Sequence, residues 1–144
     1  MNFKDQQTAL ISFLSTNYKN YLPAYISEPG ITTEFLDFDK FKGDFTLFID
    51  FSQIDFQQSN YKDDCGDIEH LSLTVYLARR NNTSTILQSD ILDAAYAFYE
   101  MIKNDSSLGI AQSTTINSID FFRYVEATKY ICVAEISLSL TIEI

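Results

Sequence analysis

Apolar and polar positions recur with clear periods along most of the chain. From Lys4 to Tyr21, the residues Leu10, Phe13, Leu14, Tyr18 and Tyr21 fall at spacings of three and four, which places them on one stripe of an amphipathic helix. Pro23 and then Pro29-Gly30 end that helix. Between Ile31 and Phe45 the period is lost: Phe35, Phe38 and Phe41 stand among Glu34, Asp37, Asp39 and Lys40, an irregular connection with room for one short strand. Phe45, Leu47, Ile49 and Phe51 then alternate with Thr46, Phe48 and Asp50, the period of a strand with one buried face, in which Phe48 breaks the polar side.

A polar loop from Gln57 to Asp67 leads to a second strand, where Leu71, Leu73, Val75 and Leu77 alternate with His70, Ser72, Thr74 and Tyr76. Asn81-Asn82-Thr83-Ser84 makes a turn. Ser89-Asp90 is the predicted N-cap of a helix whose core stripe is Ile91, Ala95, Phe98 and Ile102, ending near Asn104. Asp105-Ser106-Ser107 and Gly109 form its exit loop. The last third reads as a hairpin of Ser118 to Glu126 and Tyr130 to Ile144. In the final strand Cys132, Ala134, Ile136, Leu138, Leu140, Ile142 and Ile144 share one face, and Glu135, Ser137, Ser139, Thr141 and Glu143 the other.

The element order is therefore α-β-β-α-β-β. Strands that alternate in this way are half-exposed and hence mainly antiparallel, with the two helices packed on the one apolar face of an α+β fold. A final strand of roughly fifteen residues, about 50 Å long, exceeds what a small sheet needs internally. Part of it is expected to pair with another subunit, and changing Glu135 and Glu143 to Lys then perturbs assembly if their face lies at that contact.

Length and composition fit one domain, residues 1–144: 46% of the residues are apolar, with 4 Gly and 2 Pro, enough for a sizeable core. No apolar stretch reaches the roughly 18 residues of a membrane span, and Met1-Asn2-Phe3-Lys4-Asp5-Gln6-Gln7 lacks the pattern of a signal peptide, so a cytoplasmic protein is expected. The formal net charge of −10 opposes binding to duplex DNA or an anionic membrane, because phosphate recognition depends on Lys and Arg. An acidic wall can still face DNA as a passage that does not grip it.

Candidate chemistry is sparse. Asp63-Asp64-Cys65-Gly66-Asp67-Ile68-Glu69-His70 gathers carboxylates, a thiol and an imidazole, but its spacing matches no zinc pattern and no EF-hand loop. It reads as an acidic loop, with a weak Mg²⁺ or Ca²⁺ site through Asp64 and Asp67 as the alternative. His70 is the one histidine and would have to serve as base in any Ser-His-Asp or Cys-His mechanism; its place on a polar strand face is that of an ordinary exposed side chain. No GxSxG, GxGxxG or Walker-type glycine loop is present. Arg79-Arg80 reads as a strand end or salt-bridge partner, and Cys65 and Cys132 as free thiols. No catalytic residue, metal ligand or cofactor is assigned. The aromatic load is the conspicuous feature: 12 Phe and 9 Tyr without Trp. Phe48, Tyr76, Phe122 and Tyr124 fall opposite the predicted core, as a surface covered by the Ile31 to Phe45 segment or as a protein contact.

Taken together, the opening helix, the strand Phe45-Thr46-Leu47-Phe48-Ile49-Asp50-Phe51, the strand Ile68 to Arg80 entered through Cys65-Gly66-Asp67, the helix Ser89 to Lys103 and the terminal strand ending Ser137-Leu138-Ser139-Leu140-Thr141-Ile142-Glu143-Ile144 resemble the tail-terminator, or tail-completion, minor tail proteins of tailed bacteriophages and prophages. The resemblance covers nearly the whole chain and is one of element order and texture. It implies a structural protein rather than an enzyme: a homo-oligomeric ring, commonly a hexamer, that caps the tail tube and joins it to neck proteins. The same resemblance places the protein in the cytoplasm during assembly and afterwards in the virion. The competing readings are another neck, head-completion or bacterial interaction module using a strand edge, and a metal-dependent small-ligand binder at the acidic loop.

Overall fold

In the computed structural model, residues 2–33, 44–58, 67–81, 84–126 and 129–143 are described. The first helix, α1 (Phe3–Asn17), starts on a reciprocal cap: the Asp5 N–H donates to the Asn2 side chain at 2.8 Å, and the Asn2 N–H donates to the Asp5 carboxylate at 3.4 Å. A short 3₁₀ turn, Tyr18–Asn20, continues it. Five strands follow the order predicted, with one addition: β1 (Gly30–Thr32) precedes β2 (Phe45–Gln58) and β3 (Asp67–Asn81), and after the helix α2 (Ser84–Asn104) come β4 (Ser113–Glu126) and β5 (Lys129–Glu143). In space the order is β1-β2-β3-β5-β4, with β1 parallel to β2 and every other neighbour antiparallel.

Two registers shift by a residue, between Phe51 and Gln53 in β2 and between Ile116 and Ser118 in β4. Each bulge resets the alternation, so that Ile54 again packs with the core beneath the helices. This explains why the hydrophobic period in the sequence fades after Phe51 although the strand runs seven residues further, and why β4 starts five residues before the predicted Ser118.

Both helices lie on one face of the sheet. Their buried stripes, Leu10 and Leu14 from α1 with Tyr18 from the 3₁₀ turn that continues it, and Ile91, Ala95, Phe98 and Ile102 from α2, meet Leu47, Leu73, Val75, Leu77, Ala134, Ile136 and Leu138 from the strands. Each large aliphatic or aromatic side chain so buried stabilises the fold by about 1.5–3 kcal/mol before entropy is counted. The helix α2 begins at Ser84, not at the predicted cap Ser89-Asp90. Asp90 is buried inside the helix and accepts from Arg79 Nη2 at 3.0 Å, so a pattern typical of a cap marks an ion pair instead. At the other end Leu108 and Gly109 take left-handed conformations, φ 46° and 81°. A Cβ on Gly109 would sit 3.3 Å from Phe13 Cβ, so this turn suits glycine twice over.

Tyr18 joins the two helices. Its hydroxyl donates to the Ala94 carbonyl at 2.7 Å, and its ring meets Phe98 edge-on at 5.6 Å. Burial pushes this phenol far above its ordinary value of 10.0, against a smaller opposing pull from Arg79. The folded chain therefore keeps the proton when the unfolded chain has lost it. This contribution is complete below about pH 10 and falls by about 1.4 kcal/mol per pH unit above it. Tyr18→Phe should cost about 1 kcal/mol at pH 7 and flatten the loss of stability between pH 10 and 11.5, as read by urea unfolding at each pH.

Candidate interaction surfaces

The sheet face away from the helices divides into two halves. Near the Phe45 end of β2 it carries a small apolar cluster of buried Phe48, Ala78, Ile131 and Val133, flanked by half-buried Tyr76 and Phe122. Tyr124, stacked edge-on to Phe122 at 5.4 Å, is 46% exposed. Of the four aromatics predicted opposite the core, then, Phe48 is interior and Tyr124 is surface. Residues 34–43, the segment considered as their cover, lie outside the described residues.

The other half of that face is polar. Cross-strand neighbours there include Asp50, Thr74, Ser137 and Ser118 in one row, and Asp55, His70 and Thr141 in another. Asp120 and Glu135 sit opposite each other, with Tyr76 beyond, whose hydroxyl lies 3.5 Å from the Glu135 carboxylate. Glu143 stands at the far end, held by the Gln112 amide. Asp50, Asp55, Asp120 and Glu143 are exposed, and the alternation of the strands puts no Lys or Arg among these rows in the described residues. Arg80, on the same face, lies beside Ile131 at the apolar end.

The edges form the second surface. The predicted free edge on the last strand is not there: β5 is paired with β3 from Ile68 to Asn81 and with β4 from Ser113 to Glu126, and so lies inside the sheet. Its length is matched by equally long neighbours. Among the described residues, the open edges are instead β4 on one side and, beyond the three residues covered by β1, β2 from Ile49 to Gln58 on the other. Six of the nine large apolar side chains exposed among the described residues belong to α2 or β4: Leu92, Tyr96, Tyr99, Phe121, Tyr124 and Val125. A groove of about 260 Å³ between these two elements is lined by Gln88, Ile91, Leu92, Phe121, Arg123 and Cys132.

The acidic cluster predicted from sequence is not brought together. Asp63, Asp64, Cys65 and Gly66 lie outside the described residues. Asp67 opens β3, Ile68 and His70 share the face away from the helices, and Glu69 turns to the other side. There it is buried and accepts from Gln6 Nε2 at 2.8 Å. Alternation alone assigns Glu69 to the core face, but its charge argues against that place, which is why the buried Gln6–Glu69 pair escaped the sequence reading. No group of three or more metal-binding side chains occurs among the described residues. Arg79 is the salt-bridge partner that the sequence suggested, with its guanidinium also 5.3 Å from the Phe45 ring centroid. Cys132 is a buried free thiol whose acidity is lowered by burial, partly offset by Arg123. No helix among the described residues is long and apolar enough to cross a membrane. No known family model matches the chain, and no curated protein is similar to it in sequence.

Proposed function

We propose that this protein is a structural assembly component of a tailed phage or prophage, a tail terminator whose subunits close into a ring, commonly of six, on the end of the tail tube nearest the head. The observation that carries this reading is the helix-free face of the sheet, with carboxylates and hydroxyls and, among the described residues, no Lys or Arg in its polar half. Such a face can line a channel through which DNA slides, since it repels the backbone and offers no counter-charge to hold it. The two unlike open edges support the same reading, because edge-to-edge contact between different strands is heterologous and closes into a ring when the rotation permits. On this reading the work is done by shape and interfaces, with no substrate turned over, in the cytoplasm during assembly and then in the virion.

The test is to assemble tail tubes from the tube protein encoded by the same phage or prophage, with and without this chain, and to measure them by negative-stain microscopy. Tubes of one length with a ring at a single end are expected when the chain is present, and overlong tubes of mixed length without it. Identical length distributions overturn the proposal. A second reading, an interaction module that takes a partner's strand by β-augmentation, is favoured by the open edge of β4. It predicts capture of an extended peptide, and no ring on any tube.

A further inference from the structure

Residues of β4 equidistant from Phe122 are complementary to one another. Moving outward in both directions, Phe121 is matched with Arg123, Asp120 with Tyr124, and Ile119 with Val125. This bears on how the strand could pair with a second copy of itself. For two antiparallel β4 strands related by a two-fold axis normal to the sheet, residues directly opposite one another share a face, so the axis must pass through a residue pair of one kind. Five centres are available from Asp120 to Tyr124, and one at Tyr124 strands Arg123 against Val125. An axis at Asp120 sets two carboxylates against each other, and one at Arg123 sets two guanidinium groups together. An axis at Phe121 strands Asp120 against Phe122 and Arg123 against Ile119. An axis at Phe122 opposes no like charges.

We propose that the protein outside any larger assembly pairs with a second copy of itself through β4, antiparallel about a two-fold axis at Phe122, joining two five-stranded sheets into one of ten. On the helix side, Phe121 then lies against Arg123 of the second copy, an aromatic face beneath a guanidinium, and Ile119 lies against its Val125. On the other side, Phe122 meets its counterpart, and the Asp120 carboxylate faces the Tyr124 hydroxyl of the second copy. Each of these contacts occurs twice. The exposure pattern agrees: Phe121, Tyr124 and Val125 are 48%, 46% and 71% exposed, Phe121 inside the strand and the other two toward its end. Leu92, half-exposed across the groove from Phe121 and Arg123, lies along the same seam and is covered when the helices of both copies flank it.

This pairing stands independently of the tail-terminator reading, and it constrains that reading: β4 is occupied in the dimer, so a ring built head to tail through β4 forms from separated subunits. The test is the molar mass of the full chain by light scattering over a wide concentration range. Twice the 16.5 kDa chain mass is expected. Phe121→Lys, at an exposed position, sets a lysine against Arg123 of the second copy and should reduce the mass to that of a single chain, whereas Phe121→Glu should keep the dimer.

The register is tested in a chain carrying Cys65→Ser. Phe122→Cys should cross-link on mild oxidation, because opposed Cα atoms in an antiparallel pair lie about 4.5–5.5 Å apart. Tyr124→Cys should not, because the axis separates its two copies by four residues, about 13 Å along the strand. A single-chain mass for the parent at every concentration overturns the pairing. So does a dimer indifferent to Phe121→Lys, or one that cross-links at Tyr124→Cys. Free six-membered rings would also overturn it while supporting the ring, and dimers that leave tail-tube length unchanged would uphold the pairing and sink the ring.

Discussion

Phe98→Ala should lower the unfolding free energy by about 3–5 kcal/mol, the largest effect expected of any single change considered. Phe98 is fully buried in α2, where it meets the Tyr18 ring edge-on at 5.6 Å. Truncation removes the transfer energy of the ring and leaves a cavity that the surroundings cannot readily fill, since Tyr18 is tethered by its hydroxyl to Ala94. Phe98→Leu keeps most of the volume and should cost less than about 1.5 kcal/mol. Urea midpoints at constant m-value measure both. A cost under about 1 kcal/mol for the alanine variant would mean that the two helices do not depend on each other through this contact.

Asp90→Ala should cost about 3 kcal/mol. The pair with Arg79 is nearly out of solvent, with side-chain exposures of 12% for Arg79 and 9% for Asp90. Removing the carboxylate leaves a guanidinium whose Nε already has no partner among the described residues, and an uncompensated buried charge is worse than no charge. The double change Arg79→Met with Asp90→Leu should therefore recover most of the loss, because two apolar side chains of similar volume remove the desolvation cost along with the attraction. Thermal unfolding of the single and double variants tests this. Equal losses in both would show that the loss does not arise from the arginine charge left uncompensated.

The stability of the helix layer and the availability of the sheet edge are separable. Phe98 and Asp90 bind α2 to the rest of the molecule, whereas Phe121 and Tyr124 stand on a strand edge that the core does not consume. A change at Phe121 is accordingly expected to alter association with little effect on unfolding, and the reverse holds for Phe98.

The amino-acid sequence by itself determined the α+β class, the order of the long elements and the faces they bury. Alternation in Leu71 to Leu77 and in Cys132 to Ile142, and the three-and-four spacing of Leu10, Leu14 and Tyr18, are local consequences of strand and helix geometry acting on a chain that must hide its apolar side chains. Where a local signal had two meanings, only the tertiary structure chose. Ser89-Asp90 carries the chemistry of a helix cap, yet Asp90 lies within the helix because Arg79, eleven residues earlier on β3, supplies its partner. The length of β5 suggested an outward edge, but strand length does not specify spatial order. The long strands β3 and β4 flank it, and the open edge passes to β4. Asp50, Asp55, Asp120, Glu135 and Glu143, all opposite the helices, are scattered along the sequence, and neighbours in a sheet are set by register between distant segments, so that face became visible only once the strands were paired.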